Sequence, residues 1–345
     1  MRTDDFDYEL PSGSIAQQPL EPRDSCRLLV LERSSGQIDH RVFSDLPDYL
    51  RDGDVLVVNE TRVMPARLKG AKDETGGAVE VLLLRERYGT SWECLVKPGR
   101  RLKPGARIVF GEGRLTGFVA DVLDESGGRL IQFTLHGPGT FLDAVHEIGE
   151  VPLPPYITRT LEDPEQYQTV FACGERSAAA PTAGLHFTPE LVRSIESAGV
   201  PIARIELDVG LDTFRPVAED DPENHQMHSE HFRVGPRDAD LVNAARENGG
   251  RVFAVGTTAV RALESAYDPG CGCVSPREGT TELFILPGYR FQATDAIITN
   301  FHTPRSTLLM MISAFAGREL IMHSYETAIA ERYRLLSFGD AMLIL

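Results

Sequence analysis

The second half of this chain alternates between two textures, and that alternation narrows the possible folds more than any single motif does. Apolar runs at 201–209, 251–255, 283–286, 295–299 and 341–345 are separated by stretches at 237–248, 258–266, 305–316 and 322–336 whose spacing reads as helix. Parallel strands need crossover connections and helices supply them, so the pattern predicts an α/β fold with a mostly parallel, helix-covered sheet. Upstream the texture changes. Short runs at 65–68, 78–84, 92–96, 107–110, 115–123 and 130–135 follow one another through glycine-rich turns without a helix between them. This fits a small antiparallel β-barrel inserted into a larger domain. A brief helix at 141–148 and the stiff Pro152, Pro154 and Pro155 then lead back. The predicted organisation is an α/β catalytic domain from 1–62 and 151–345, with a barrel domain at 63–150, and 345 residues suffice for both cores. Before the insertion, 6–10 alternates as a strand would, 28–31 and 38–43 flank a turn at Ser34-Ser-Gly36, and 54–58 reads as a buried strand ending at Asn59-Glu-Thr-Arg62.

Charge narrows the partners. A formal net charge of −16 argues against indiscriminate binding to nucleic acid but leaves room for a local patch. Lys97, Arg100, Arg101, Lys103 and Arg107 form one, with no acid among them, and on a barrel hairpin they are candidate phosphate contacts. The alternative is a solvated basic turn. No basic leader with an apolar core opens the sequence and no apolar run reaches bilayer length, so a cytoplasmic protein without a membrane partner is expected. Five cysteines without a paired Cys-x-x-Cys arrangement suit reduced thiols, and Cys271-Gly-Cys273 reads as a surface turn.

The chemistry concentrates at strand ends. Ser177-Ala-Ala-Ala-Pro-Thr-Ala-Gly-Leu-His-Phe-Thr188 sets small residues around Thr182 and His186, Gly184 permits positive φ or a close approach, and Thr188-Pro189-Glu190 opens a helix. Two strand-to-helix junctions follow: Gly256-Thr-Thr258 leading to Arg261, and Thr299-Asn-Phe-His302-Thr-Pro-Arg-Ser306. Ligands in open α/β sheets sit outside the carboxyl ends of strands, where helix N-termini favour anionic groups. The bland reading is that these hydroxyls only cap helices. A third strand end brings Asp208, Asp212, Thr213 and Arg215 together, and an aspartate there is a candidate base. His225, His228, Glu230 and His231 crowd one loop without any zinc spacing, so no metal site is expected. Neither a Gly-x-Gly-x-x-Gly fingerprint nor a Walker A loop is present.

Several of these stretches together carry a resemblance. Asn59-Glu-Thr-Arg-Val-Met-Pro-Ala-Arg67, Ala179-Ala-Pro-Thr-Ala-Gly-Leu-His-Phe-Thr188, Val209-Gly-Leu-Asp-Thr-Phe-Arg-Pro-Val217, Met227-His-Ser-Glu230, Val255-Gly-Thr-Thr-Ala-Val-Arg-Ala-Leu-Glu264 and Thr299-Asn-Phe-His-Thr-Pro-Arg-Ser-Thr-Leu-Leu-Met310 resemble the S-adenosylmethionine:tRNA ribosyltransferase-isomerase family, from Asp5 to Ser337-Phe-Gly-Asp-Ala-Met342. The resemblance implies queuosine synthesis: transfer of the ribosyl part of S-adenosylmethionine to aminomethyl-deazaguanine at the tRNA wobble position, with loss of adenine and methionine. It also implies an α/β domain with an inserted barrel, S-adenosylmethionine as cosubstrate, and neither metal nor prosthetic group; a monomer is expected. On this basis His186, His302 and Asp208 are candidates for proton transfer, and Thr257, Thr258 and Arg261 for the methionine carboxylate. Asn59, Arg62 and Asn300 are candidates for sugar or base contacts, with Thr182 and Gly184 also on the cosubstrate. Two departures stand out: Arg176-Ser177-Ala178 where the family usually has Gly-Ser-Val, and Asp208 where it usually has His. A methyltransferase using the same cosubstrate, or a silent RNA-binding module, are the rival readings.

Overall fold

The computed structural model describes residues 1–123, 127–210, 216–227 and 229–345; Asp212, Thr213, Arg215 and His228 fall outside them. The chain divides into two compact units, one of 1–62, 154–174 and 180–345, the other of 63–153 and 175–179.

The larger unit is built on a nine-stranded sheet. Its strands are β1 (Arg27–Glu32), β2 (Gln37–Val42) and β3 (Val55–Asn59), with six more from later in the chain. The six are Ile202–Leu207, Glu230–Val234, Val252–Val255, Arg277–Thr281, Ala296–Asn300 and Ala341–Ile344. The centre is parallel, in the order Ile202–Leu207, β3, Val252–Val255, Ala296–Asn300. Beyond Ala296–Asn300 the Ala341–Ile344 strand runs antiparallel to it and parallel to β1, while β2 and the far edge close antiparallel. The sheet is therefore mixed around a parallel heart.

Local chemistry explains the centre. Val55, Leu56, Val57 and Val58 are all buried, as are all four residues of Val252–Val255, because a strand covered on both faces cannot alternate. Leu56, Val58, Phe253, Val255, Ile298 and Leu343 share one core cluster with Phe187, Leu191 and Ile195. The last two belong to the helix Pro189–Ser197, which Thr188 starts by accepting the Leu191 N–H at 3.2 Å. Each such side chain contributes roughly 1.5–3 kcal/mol on burial.

Three expectations shift. Residues 283–286 are not a strand; the edge is Arg277–Thr281, whose polar, mostly exposed residues carry no apolar signature. Residues 6–10 form no strand, and a short 3-10 turn spans Thr3–Phe6 instead. Cys271 and Cys273, expected as free thiols, are joined as a disulfide, since Gly272 at φ +68° folds the chain back and brings their Cα atoms to 5.3 Å. Cys26, Cys94 and Cys173 are free. No described helix is long and apolar enough to cross a membrane.

The smaller unit is a closed antiparallel barrel. Its strands run in the order Arg67–Lys72, Ala78–Tyr88, Ser91–Lys97, Gly128–Leu135, Leu115–Val122, Arg107–Phe110, and the first pairs with the last. Closure needs Gly70: a Cβ there would lie 2.5 Å from Phe110 and 2.6 Å from the Val109 carbonyl. Phe110 and Phe133 fill the interior with rings 6.0 Å apart.

Candidate active site

The parallel strands of the larger unit carry their carboxyl ends, Asn59, Leu207, Val255 and Asn300, to one edge of the sheet. A cavity opens there, with Thr182, Thr257, Thr258, Asn300 and His302 on its wall. Tyr156 and Ser337 add a second polar corner, their hydroxyls 2.7 Å apart. Neither of these two was a candidate from sequence: Tyr156 follows the proline-rich linker, and Ser337 falls in the gap between the expected helix at 322–336 and the apolar run at 341–345.

Thr257 begins a helix, Thr257–Ala266, that no side chain caps. Gly256 precedes it at φ +87° and spends its own N–H on the Ile298 carbonyl at 2.7 Å. The Thr258 hydroxyl is buried and has no hydrogen-bond partner among the described residues. An uncapped helix start beside an unpaired buried hydroxyl is a place for an anion. Ser306, in contrast, is a plain cap, accepting the Leu309 N–H at 3.2 Å.

Asn300 is fixed by its surroundings. Its Nδ2 faces the carbonyls of Leu336 and Ser337 at 3.3 and 3.5 Å, which only accept, and its Oδ1 accepts from the Thr182 hydroxyl at 2.9 Å. The same Nδ2 therefore donates to His186 Nε2 at 2.9 Å, which places the imidazole proton on Nδ1, facing the Cys26 sulfur at 3.3 Å. Burial first, then the positive Arg23 and Arg334, hold His186 down to about 3, so it is neutral. Burial pushes the Cys26 thiol up. His186 is absent from the wall of the large cavity and touches instead a smaller one with Cys26 and Arg23.

His302 does reach the large cavity. Its backbone N–H donates to the Tyr325 hydroxyl at 2.8 Å, and the same oxygen lies 3.3 Å from His302 Nδ1. Nε2 lies 3.1 Å from Thr299 Oγ1, a hydroxyl that can donate to it as readily as accept from it. Burial holds this ring, too, down to about 3. Tyr8, donating to the His302 carbonyl at 2.6 Å, closes the cage.

Other candidates are engaged elsewhere. Arg261 is spent on a buried ion pair with Glu230 and on the Leu283 and Thr281 carbonyls at 3.2 and 3.3 Å, so its guanidinium faces away from the cavity wall. Asn59 ties two strands together, donating to the Leu207 carbonyl at 2.9 Å and accepting from Leu207 and Thr61 N–H groups at 3.2 Å. Arg62 pairs with Glu165. Asp208 faces His231 at 3.7 Å and is not on the wall, although its neighbour Val209 is. Gly184 is tight against Thr169, where a Cβ would come within 3.0 Å, so its small size serves packing. His225 pairs with Glu219, and no metal-holding group is found among the described residues. Lys97, Arg100, Arg101, Lys103 and Arg107 are all exposed on the barrel, and none makes an ion pair among the described residues.

A cavity outside the carboxyl ends of parallel strands, lined by hydroxyls, an amide and a caged imidazole, stands where α/β enzymes hold small ligands. The profile described as queuosine biosynthesis protein matches residues 3–344, and the chain belongs to that family. It is 58% identical over its whole length, and that of the relative, to an S-adenosylmethionine:tRNA ribosyltransferase-isomerase of Symbiobacterium thermophilum. The corresponding figure for the protein of that name from Moorella thermoacetica is 55%. A crystal structure of an S-adenosylmethionine tRNA ribosyltransferase from Thermotoga maritima is similar at a TM-score of 0.56 and 37% identity, covering 99% of this chain and 100% of that one.

Proposed function

We propose that this enzyme moves the ribosyl part of S-adenosylmethionine onto aminomethyl-deazaguanine in the wobble position of tRNA, leaving epoxyqueuosine and releasing adenine and methionine. Its substrates are S-adenosylmethionine and tRNA. The observation that carries the reading is the convergence of Thr182, Thr257, Thr258, Asn300 and His302 on one strand-end cavity in a chain that matches the family from end to end. The uncapped start of the Thr257–Ala266 helix and the free Thr258 hydroxyl take the methionine carboxylate, a part that Arg261 is too engaged to play. Asn300 and Thr182, already oriented by one another, meet the sugar. The sulfonium acidifies the carbon beside it, so proton removal there and loss of adenine need only a modest base. His302 is the residue at the wall able to accept that proton, once substrate enters and alters the polarity around a ring held neutral by burial. The exposed hairpin cations take the tRNA phosphates. The sulfonium supplies the electrophile, so no metal or prosthetic group is part of the proposal, and the enzyme is taken to work as a monomer in the cytoplasm, where its tRNA is.

The test uses precursor tRNA with S-adenosylmethionine labelled separately in ribose and methyl. Ribose label entering tRNA, with adenine and methionine released in equal amounts, is the expected result; methyl label entering tRNA would sink the reading. In the same assay Thr258→Val should raise KM for S-adenosylmethionine by about tenfold or more, the scale of a lost hydrogen bond to a charged group, and leave KM for tRNA alone.

A further inference from the structure

The charge of the molecule is segregated between its two units. The barrel unit holds as many lysines and arginines as aspartates and glutamates, 13 of each, so the whole net charge of −16 resides in the other unit. Within the barrel unit no acid occurs between Glu93 and Glu112, while all five hairpin cations do.

The cations are held out from a tied backbone. Arg129 is buried, and its guanidinium donates to the carbonyls of Leu102 at 2.7 Å and Gly99 at 2.5 Å, the two ends of the turn bearing Arg100 and Arg101. The next turn is stitched to the Leu115–Val122 strand by Gly105 N–H to the Val119 carbonyl at 2.9 Å and Val119 N–H to the Ala106 carbonyl at 3.0 Å.

That strand carries an oddity. Gly117 and Val119 point into the barrel, while Phe118 is 44% exposed although it lies mid-strand in a closed barrel. Its register partners are Arg107 on one side and Gln132 on the other, both exposed. Cross-strand partners on one face have Cβ atoms about 4.5–5.5 Å apart, so an aromatic ring stands in the middle of a row with a guanidinium and an amide. Val122, 40% exposed, ends the strand and Leu123, 46% exposed, follows it, with the exposed Asp121 between them and Phe118.

We propose that Phe118 is a stacking platform for an unpaired base of the bound tRNA, with Arg107 and the hairpin cations on the flanking phosphates. Charge complementarity selects the occupant: a bare apolar ring would suit a protein, but one rimmed by uncompensated cations suits a polyanion with exposed ring faces. Bases splayed from single-stranded loops stack on aromatic side chains irrespective of their identity, which matches a single ring without a built hydrogen-bonding pocket. This rests on the reading that the hairpin contacts tRNA, and the experiment separates the two.

Binding of a precursor tRNA is measured by anisotropy over a range of salt, with the full chain carrying Phe118→Ala, Phe118→Trp or Arg107→Ala, each first shown to melt as the parent does. Phe118→Ala should weaken binding about 5- to 100-fold with the salt slope unchanged, the scale of one lost base stack. Arg107→Ala should reduce the slope by roughly 0.9 or less. Phe118→Trp should keep the affinity, and its exposed indole should be quenched by tRNA. Arg107→Ala acting while Phe118→Ala has no effect overturns the stacking role alone. Unchanged slopes in Arg107→Ala and in Arg100→Ala with Arg101→Ala overturn the hairpin reading beneath it. A change in sedimentation with Phe118→Ala, at constant tRNA affinity, would overturn it in favour of a contact between copies of the chain.

Discussion

His186 stands one layer behind the cavity, holding Asn300 by its amide nitrogen. A neutral ring with Nε2 accepting can be replaced in part by a glutamine oxygen, which also accepts but cannot carry protons. His186→Gln should therefore retain turnover within about tenfold of the parent with the pH profile unaltered, whereas His186→Ala, which strips Asn300 Nδ2 of an acceptor in a buried site, should lose more. Kinetics across pH for both variants check this. A glutamine variant as inactive as the alanine one, with a shifted pH profile, would restore His186 as a proton carrier. The sequence marks His186 by its small neighbours and its place before a helix, but those features describe any tightly packed loop. What decides between ligand contact and support is Cys26, 160 positions away, and no local pattern discloses it.

At the scale of elements, the helix starting at Thr257 depends on the turn before it. Gly256 at φ +87° is in the left-handed half of backbone space, and a Cβ there would sit at an ordinary 3.4 Å from Ala183. With ψ at 156° the residue lies where essentially only glycine is found, so Gly256→Ala meets a backbone penalty of roughly 1–3 kcal/mol and little steric one. It should lower Tm and raise KM for S-adenosylmethionine together, because the same turn aims the helix start; calorimetry and initial rates read the two. The junction itself was legible, an apolar run meeting Gly-Thr-Thr at a helix start, as were the inserted barrel and the covered sheet. Arg277–Thr281 was not, since an edge strand needs no apolar face. The fate of Arg261 was also hidden: a cation one turn into a helix at a strand end looks like an anion ligand until Glu230 is found across the sheet.

For the molecule as a whole, the two buried imidazoles set a limit on acid tolerance. His186 and His302 are held down to about 3 when folded, against 6.5 for the free side chain. The unfolded chain thus binds more protons between those values. Their contribution is fully present above about pH 6.5 and is lost as pH falls toward 3, each group adding about 1.4 kcal/mol per pH unit to the slope. Denaturant titrations at pH 7 and pH 5 should show stability falling with acid, and less steeply in His186→Gln by about one proton; equal slopes in the two proteins would contradict the assignment.

The strand Ala341–Ile344 lies between Ala296–Asn300 and β1, bonded on both sides and wholly buried. On a ribosome, the barrel strands, contiguous from Arg67 to Leu135, are all available before Ile202–Leu207 and the sheet strands that follow it have emerged, and they can close on themselves. The large sheet has no such independence. Until its last-made strand slides into the gap, β1 and Ala296–Asn300 each present an open edge with hydrogen bonds unmet, the state in which chains pair with their neighbours. The cavity wall at Asn300 is therefore finished only once Ala341–Ile344 has been made, and a nascent chain holds a formed barrel well before it holds that cavity.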